Sequence, residues 1–182
     1  LVFCNTKSDT KDVANELSYH GHYALAIHGD LDQRDRDQSL IRFTNKSASV
    51  LVATDVAARG LDIDSLDMVI NYNVAHNPEV HIHRIGRTGR AGRVGIACTL
   101  YSDKEKYKIE TLDSIVDNEE LPDTLPSDNY LAKPANKPAM TTIKIDGGKK
   151  QKLRPGDIVG GITANGGIDG DKIGKIHVTN NW

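Results

Sequence analysis

Strand-sized apolar runs alternate with amphipathic stretches over residues 1–118, and few folds accept that rhythm. Residues 1–4, 23–27, 50–53, 68–72 and 95–100 are rich in Val, Ile, Leu and Ala and predict short strands. Ser8 is the expected N-cap of a helix that carries Val13, Ala14 and Leu17 on one face. Residues 32–43 predict the next helix, with Leu40, Ile41 and Phe43 turned inward, and 79–85 and 103–116 predict two more. Strands alternating with helices imply an α/β fold: a parallel sheet covered by helices on both faces. Ligands of such sheets sit beyond the carboxyl ends of the strands, which singles out residues 5–7, 28–30, 54–62 and 84–93.

Two further regions differ in composition. Residues 119–140 hold four of the six prolines and little apolar periodicity, and read as a linker. Residues 141–182, rich in Gly and Lys, read as a second, smaller unit. With 23 Lys and Arg against 25 Asp and Glu, the net charge is −2, which excludes a uniformly basic RNA-coating protein. No apolar run approaches the length needed to span a membrane. The two cysteines, Cys4 and Cys98, lie in apolar runs and form no Cys-x-x-Cys pair, so neither a zinc site nor a disulfide framework is expected. Reduced thiols and the absence of a leader favour the cytoplasm. The chain begins inside a strand pattern and without Met, which suggests a piece of something longer.

The most informative stretch runs from His83 to Arg93. Arg84, Arg87, Arg90 and Arg93 recur every three residues, glycines interleave with them, and no acid lies between 80 and 102. Glycines let a backbone approach a bulky anion, and guanidinium forks match phosphate oxygens. Such a loop suits a triphosphate or a nucleic-acid backbone; a flexible Arg/Gly segment of the RNA-binding kind is the plainer alternative. A second segment, 53–62, follows a buried strand: Thr54 and Asp55 cap the turn and Asp62 could accept hydrogen bonds from a ribose. In a third, 28–36, Gln33 and Arg36 share one face of a helix start. In the last unit Lys144, Lys149, Lys150, Lys152 and Arg154 put five cations in eleven residues against one acid, Asp146, an electrostatic footprint for RNA phosphates. Residues 102–128 have the opposite sign, nine acids against three lysines, and read as a solvated face rather than a metal site.

Taken together, these segments resemble the second RecA-like lobe of DEAD-box ATP-dependent RNA helicases. Residues 1–7 are similar to that family's motif IV, Gln33 and Arg36 to its Gln-x-x-Arg element, 53–62 to motif V and 83–90 to motif VI, in family order and at family-like spacing. His81 stands where the family more often has Tyr. Residues 141–182 resemble the start of a DbpA-type RNA-binding domain, a divergent RNA-recognition-motif (RRM-like) α+β fold, with 142–145 as its first strand, a helix from Pro155 and 174–178 as its second strand.

The resemblance implies an ATP-dependent RNA helicase whose cleft binds ATP with Mg2+ mainly through another lobe, since this sequence has neither a P-loop nor an Asp-Glu-Ala-Asp run. By the same resemblance Arg87 and Arg90 would act as arginine fingers on the γ-phosphate, Gly60 and Asp62 would meet the nucleotide, and His83 would link motif VI to the other lobe. Thr6, Arg36 and Thr54 would hold the RNA backbone. Lys149, Lys150, Lys152 and Arg154 would help bind the RNA target, implied to be a hairpin of 23S ribosomal RNA in precursors of the 50S ribosomal subunit. Two other readings stay open from the residues: a non-catalytic RNA-binding or RNA-chaperone module, and a DNA-directed helicase lobe with similar core motifs.

Overall fold

The computed structural model describes residues 1–61, 63, 66–90, 92–113, 127–130 and 133–182. The chain separates into two units, Leu1–Ala139 and Met140–Trp182. Of the predicted linker, 119–126 and 131–132 lie outside the described residues.

The first unit contains β1 (Val2–Cys4), α1 (Lys7–Tyr19), β2 (Ala24–Ile27), α2 (Gln33–Thr44), β3 (Val50–Thr54), α3 (Asp55–Ala58), β4 (Met68–Asn71), α4 (Pro78–Ile85), β5 (Ile96–Thr99) and α5 (Lys106–Asp113). The five strands form one sheet in the order β2-β3-β1-β4-β5, every pair parallel. Alternation along β1 divides the core between the two faces. Phe3 joins Ile27, Leu51, Ala53 and Val69 beneath Leu40 and Phe43 of α2 and Ala57 and Ala58 of α3. Val2 and Cys4 join Val52 and Ile70 beneath Val13, Ala14 and Leu17 of α1. Burial on both faces is why β3 is apolar without interruption from Val50 to Ala53. Fully burying each branched aliphatic side chain stabilises the fold by about 1.5–3 kcal/mol.

Several boundaries differ from the sequence expectation, for local reasons. Thr6, not Ser8, is the N-cap of α1; its hydroxyl accepts the Asp9 amide at 3.0 Å. Ser8 is drawn into the first turn, where its hydroxyl donates to Asp12. Ile41 is half-buried and belongs to neither core cluster, because it lies off the Leu40–Phe43 stripe. The predicted helix 103–116 opens as a 3-10 turn over Asp103–Glu105, where the Glu105 carboxylate accepts from the Ser102 hydroxyl. It continues as α5, and 114–116 lie outside the described residues.

The second unit holds α6 (Pro155–Thr163), whose Asp157 carboxylate accepts the Arg154 amide at 2.9 Å. The two strands expected at 142–145 and 174–178 do not form a ladder. Two runs this short are marginal as strands unless a third strand or a packed layer supports them. Here Ile143 and Ile145 stay exposed. The chain just beyond the two segments meets at Gly148, where an added Cβ would sit 2.5 Å from the Thr179 carbonyl. Beside it the Lys149 and Lys150 amides donate to the Thr179 and Asn180 carbonyls. No helix among the described residues is long and apolar enough to cross a membrane.

Candidate nucleotide and RNA interface

The chain leaves β3, passes over β1 and returns as β4, so the loops that follow these three strands share the carboxyl edge of the sheet. The register places Cys4 opposite Thr54, so Thr6 and Thr54 emerge side by side. Both are N-caps: the Thr54 hydroxyl accepts the Ala57 amide at 3.4 Å. Thr6 is exposed and Thr54 buried. Arg36, half-buried on α2, reaches across to the same turn, its Nη2 donating to the Ala57 carbonyl at 3.4 Å. The structure therefore brings Thr6, Thr54 and Arg36 to one corner.

A second group forms beyond α4. Arg87 donates from Nη1 to the Leu61 carbonyl at 3.4 Å and so lies against the turn that carries Gly60. Gly60 has φ +73°, a left-handed conformation that glycine adopts without penalty, and no atom lies within 4 Å of where its Cβ would stand. Arg90 is exposed and its Nε donates to the Gly86 carbonyl. Gly95 permits this fold of the loop, since a Cβ there would meet the Thr88 hydroxyl at 2.0 Å and the Gly89 nitrogen at 2.3 Å. His83 is exposed on α4. Asp62 lies outside the described residues. Lys149, Lys150, Lys152 and Arg154 are exposed in the second unit.

The arginine series is not uniform. Arg84 is 1% exposed, whereas Arg87 is half-buried and Arg90 and Arg93 are exposed. Its Nε and Nη2 donate to the two carboxylate oxygens of Asp55, each at 2.7 Å. Nη1 donates to the Asn73 carbonyl at 2.9 Å and Nη2 to Asn5 Oδ1 at 2.8 Å, and the guanidinium carbon lies 5.3 Å from the centroid of the Phe3 ring. Asn5 in turn takes Asn73 Oδ1 on its amide and donates to the Val74 carbonyl. Of the four arginines in this stretch, Arg84 is therefore committed to internal bonds. One helical signal could have found the exception: His81, Arg84 and Thr88 follow Asn77 at spacings of four, three and four, and all three are buried.

Burial, helped by the Lys11 ammonium, holds the His28 imidazolium below its ordinary range against the opposing pull of Asp30. His28 Nδ1 accepts the Asp30 amide, and Asp30 pairs with Lys7 at 2.5 Å. Burial, with Asp9 nearby, pushes the Cys4 thiol up to about 11. Both cysteines are free thiols, and among the described residues no group of three or more His, Cys, Asp or Glu could hold a metal ion.

Comparison with known proteins agrees with this layout. Residues 1–92 match the family described as the helicase conserved C-terminal domain, and residues 142–182 match the DbpA RNA-binding domain. The ATP-dependent RNA helicase DbpA of Escherichia coli (strain K12) is 50% identical over 178 residues, which are 98% of this chain and 38% of that protein. The Homo sapiens ATP-dependent RNA helicase DDX42 is 50% identical over 105 residues, covering 58% of this chain and 11% of its own length. The chain thus spans well under half of the length of these relatives. Among solved structures, a DEAD-box protein from the hyperthermophile Methanococcus jannaschii superposes with a TM-score of 0.60 at 44% identity, covering 65% of this chain and 32% of that one. The E. coli DEAD-box protein SrmB, solved bound to regulator of ribonuclease activity A, superposes with a TM-score of 0.61 at 30% identity, covering 79% and 80%. A five-stranded parallel sheet that gathers these loops at its carboxyl edge, with matches along both units, places the chain in the DEAD-box RNA helicase family, its residues 1–92 being a helicase conserved C-terminal domain.

Proposed function

We propose that this chain is the second RecA-like lobe of an ATP-dependent RNA helicase of DbpA type and supplies half of an ATPase site. ATP with Mg2+ is held mainly by the other lobe. The observation that carries the reading is half-buried Arg87 against the open left-handed turn at Gly60, with exposed Arg90 three residues further on, by the sheet edge that carries Thr6 and Thr54. ATP contributes the phosphoryl group whose transfer to water drives the cycle. Arg87 and Arg90 stabilise charge on that group as it leaves, a service worth about three to five orders of magnitude in rate. Gly60 leaves room for the nucleotide and Asp62 accepts from its ribose. His83, exposed on α4, contacts the other lobe.

Thr6, Thr54 and Arg36 bind the sugar-phosphate backbone, which positions a strand without reading its sequence. Lys149, Lys150, Lys152 and Arg154 add a second phosphate-binding surface and direct the enzyme to its RNA, a hairpin of 23S ribosomal RNA, during assembly of the 50S subunit in the cytoplasm. Similarity of residues 142–182 to the DbpA RNA-binding domain supports that target.

The test is Arg90→Ala in the full-length protein. RNA-stimulated ATP hydrolysis falls by about three orders of magnitude while RNA affinity is retained. Equal loss of both would favour a plain RNA-binding module. Replacing Lys149, Lys150 and Lys152 by Ala removes preference for the ribosomal hairpin over generic RNA, with ATPase at saturating generic RNA preserved; unchanged preference would refute the tether.

A further inference from the structure

Arg84 takes no part in either half-site, yet it touches the neighbours of both. Its fork is closed on both oxygens of Asp55, the residue directly after Thr54. Its third bond within the loops goes to Asn5, the residue directly before Thr6. It stands on α4, three residues before Arg87 and six before Arg90. A fourth bond, to the Asn73 carbonyl, ties in the end of β4, where Asn5 also binds. Four of the five guanidinium N–H groups are bonded and the group is enclosed, with Phe3 beneath it. A planar, five-donor group in this setting has one orientation, and a shift of any partner must move the others.

We infer that Arg84 is a positioning residue that couples the RNA-binding corner of Thr6 and Thr54 to the phosphate-binding pair Arg87 and Arg90. The inference rests on the function proposed above and deepens it. RNA that draws on Thr6 and Thr54 presses on Asn5 and Asp55, and one rigid fork passes that displacement to α4 and on to Arg87 and Arg90 in the loop that follows it. By linkage the effect is reciprocal: nucleotide engaged by Arg87 and Arg90 tightens RNA at the other corner by the same factor. Lysine at this position keeps the charge and can satisfy one carboxylate oxygen, but it cannot span Asp55, Asn5 and Asn73 together.

The experiment measures RNA dissociation constants of the full-length protein with and without a non-hydrolysable ATP analogue. The ratio of the two is the readout, because partial unfolding lowers the active fraction without changing a ratio of affinities. We expect a wild-type ratio of about 5 to 150, the usual range for coupled sites. In Arg84→Lys the ratio collapses toward one while RNA affinity without nucleotide is retained. Asn5→Ala, which removes one of the Arg84 bonds and leaves the Asp55 fork, lowers the ratio by a smaller factor and serves if the lysine variant does not fold. A wild-type ratio kept intact in the folded variants would overturn the coupling and leave the proposed function standing. A wild-type protein whose RNA affinity ignores the analogue would sink both.

Discussion

Arg84 and Arg90 share a chemistry and a three-residue spacing from Arg87, but Arg84 is buried on α4 and Arg90 is exposed in the loop that follows it. The difference should dominate their energetics. Arg84→Ala leaves Asp55, whose side chain is 22% exposed, without its partner and is expected to cost about 3 kcal/mol in urea unfolding, the low end for breaking a buried pair. Arg90→Ala, at an exposed position, is expected to stay within about 0.5 kcal/mol of wild type in the same melt. Cys4 offers a second contrast. Its thiol is held neutral in the fold to about 11, against 9.0 for an ordinary thiol. The unfolded chain therefore releases this proton first, and Cys4 contributes a stability that is intact below pH 9 and is lost as pH rises toward 11. Alkylation at pH 8 should accordingly modify Cys4 only as the protein unfolds, which mass spectrometry along a urea titration will show. Residue types and spacing give only the expectation that arginines meet phosphate. They were silent on which arginine would be spent internally, since that depends on Asp55, Asn5 and Asn73 arriving from three separate strands.

At the scale of elements the reading from sequence was firmer. All five strands and the helices α1, α2, α4 and α5 lie where apolar periodicity puts them, although the edge strand β5 stays exposed at Ile96 and Ala97. Ends were less legible. Thr6 and Ser8 are both good caps, and the choice fell to Thr6 because β1 delivers the chain to α1 there. Asn77 caps α4, accepting the Val80 amide at 2.9 Å, with Pro78 pre-set at the first helical position. Asn77→Ala should cost about 1 kcal/mol, measured by thermal or urea unfolding. Gly95→Ala should cost more, about 1–3 kcal/mol, because its methyl must displace the Thr88 hydroxyl and the Gly89 backbone. In the second unit, 142–145 and 174–178 have strand composition but no ladder, which illustrates that β-structure is a property of partners as much as of residues.

For the molecule as a whole, near-zero net charge conceals segregation. The cations of the second unit face solvent at Lys149, Lys150, Lys152 and Arg154, while acids crowd 102–128. If the three lysines bind single-stranded phosphate, replacing them by Ala should flatten the plot of log affinity against log salt by about 2, at roughly 0.7 per neutralised phosphate. An unchanged slope would remove them from the RNA surface. What the sequence determined by itself was local and periodic: the α/β rhythm, the apolar faces, the Gly-Arg loop, the basic and acidic blocks. Each of these is set by neighbours a few residues away. What only the tertiary structure decided was convergence. Residues 5, 55, 73 and 84 are distant along the chain and meet around one guanidinium because parallel strands release their loops at a single edge. No local pattern encodes that meeting, and it sets the buried Arg84 apart from the exposed Arg90 and Arg93.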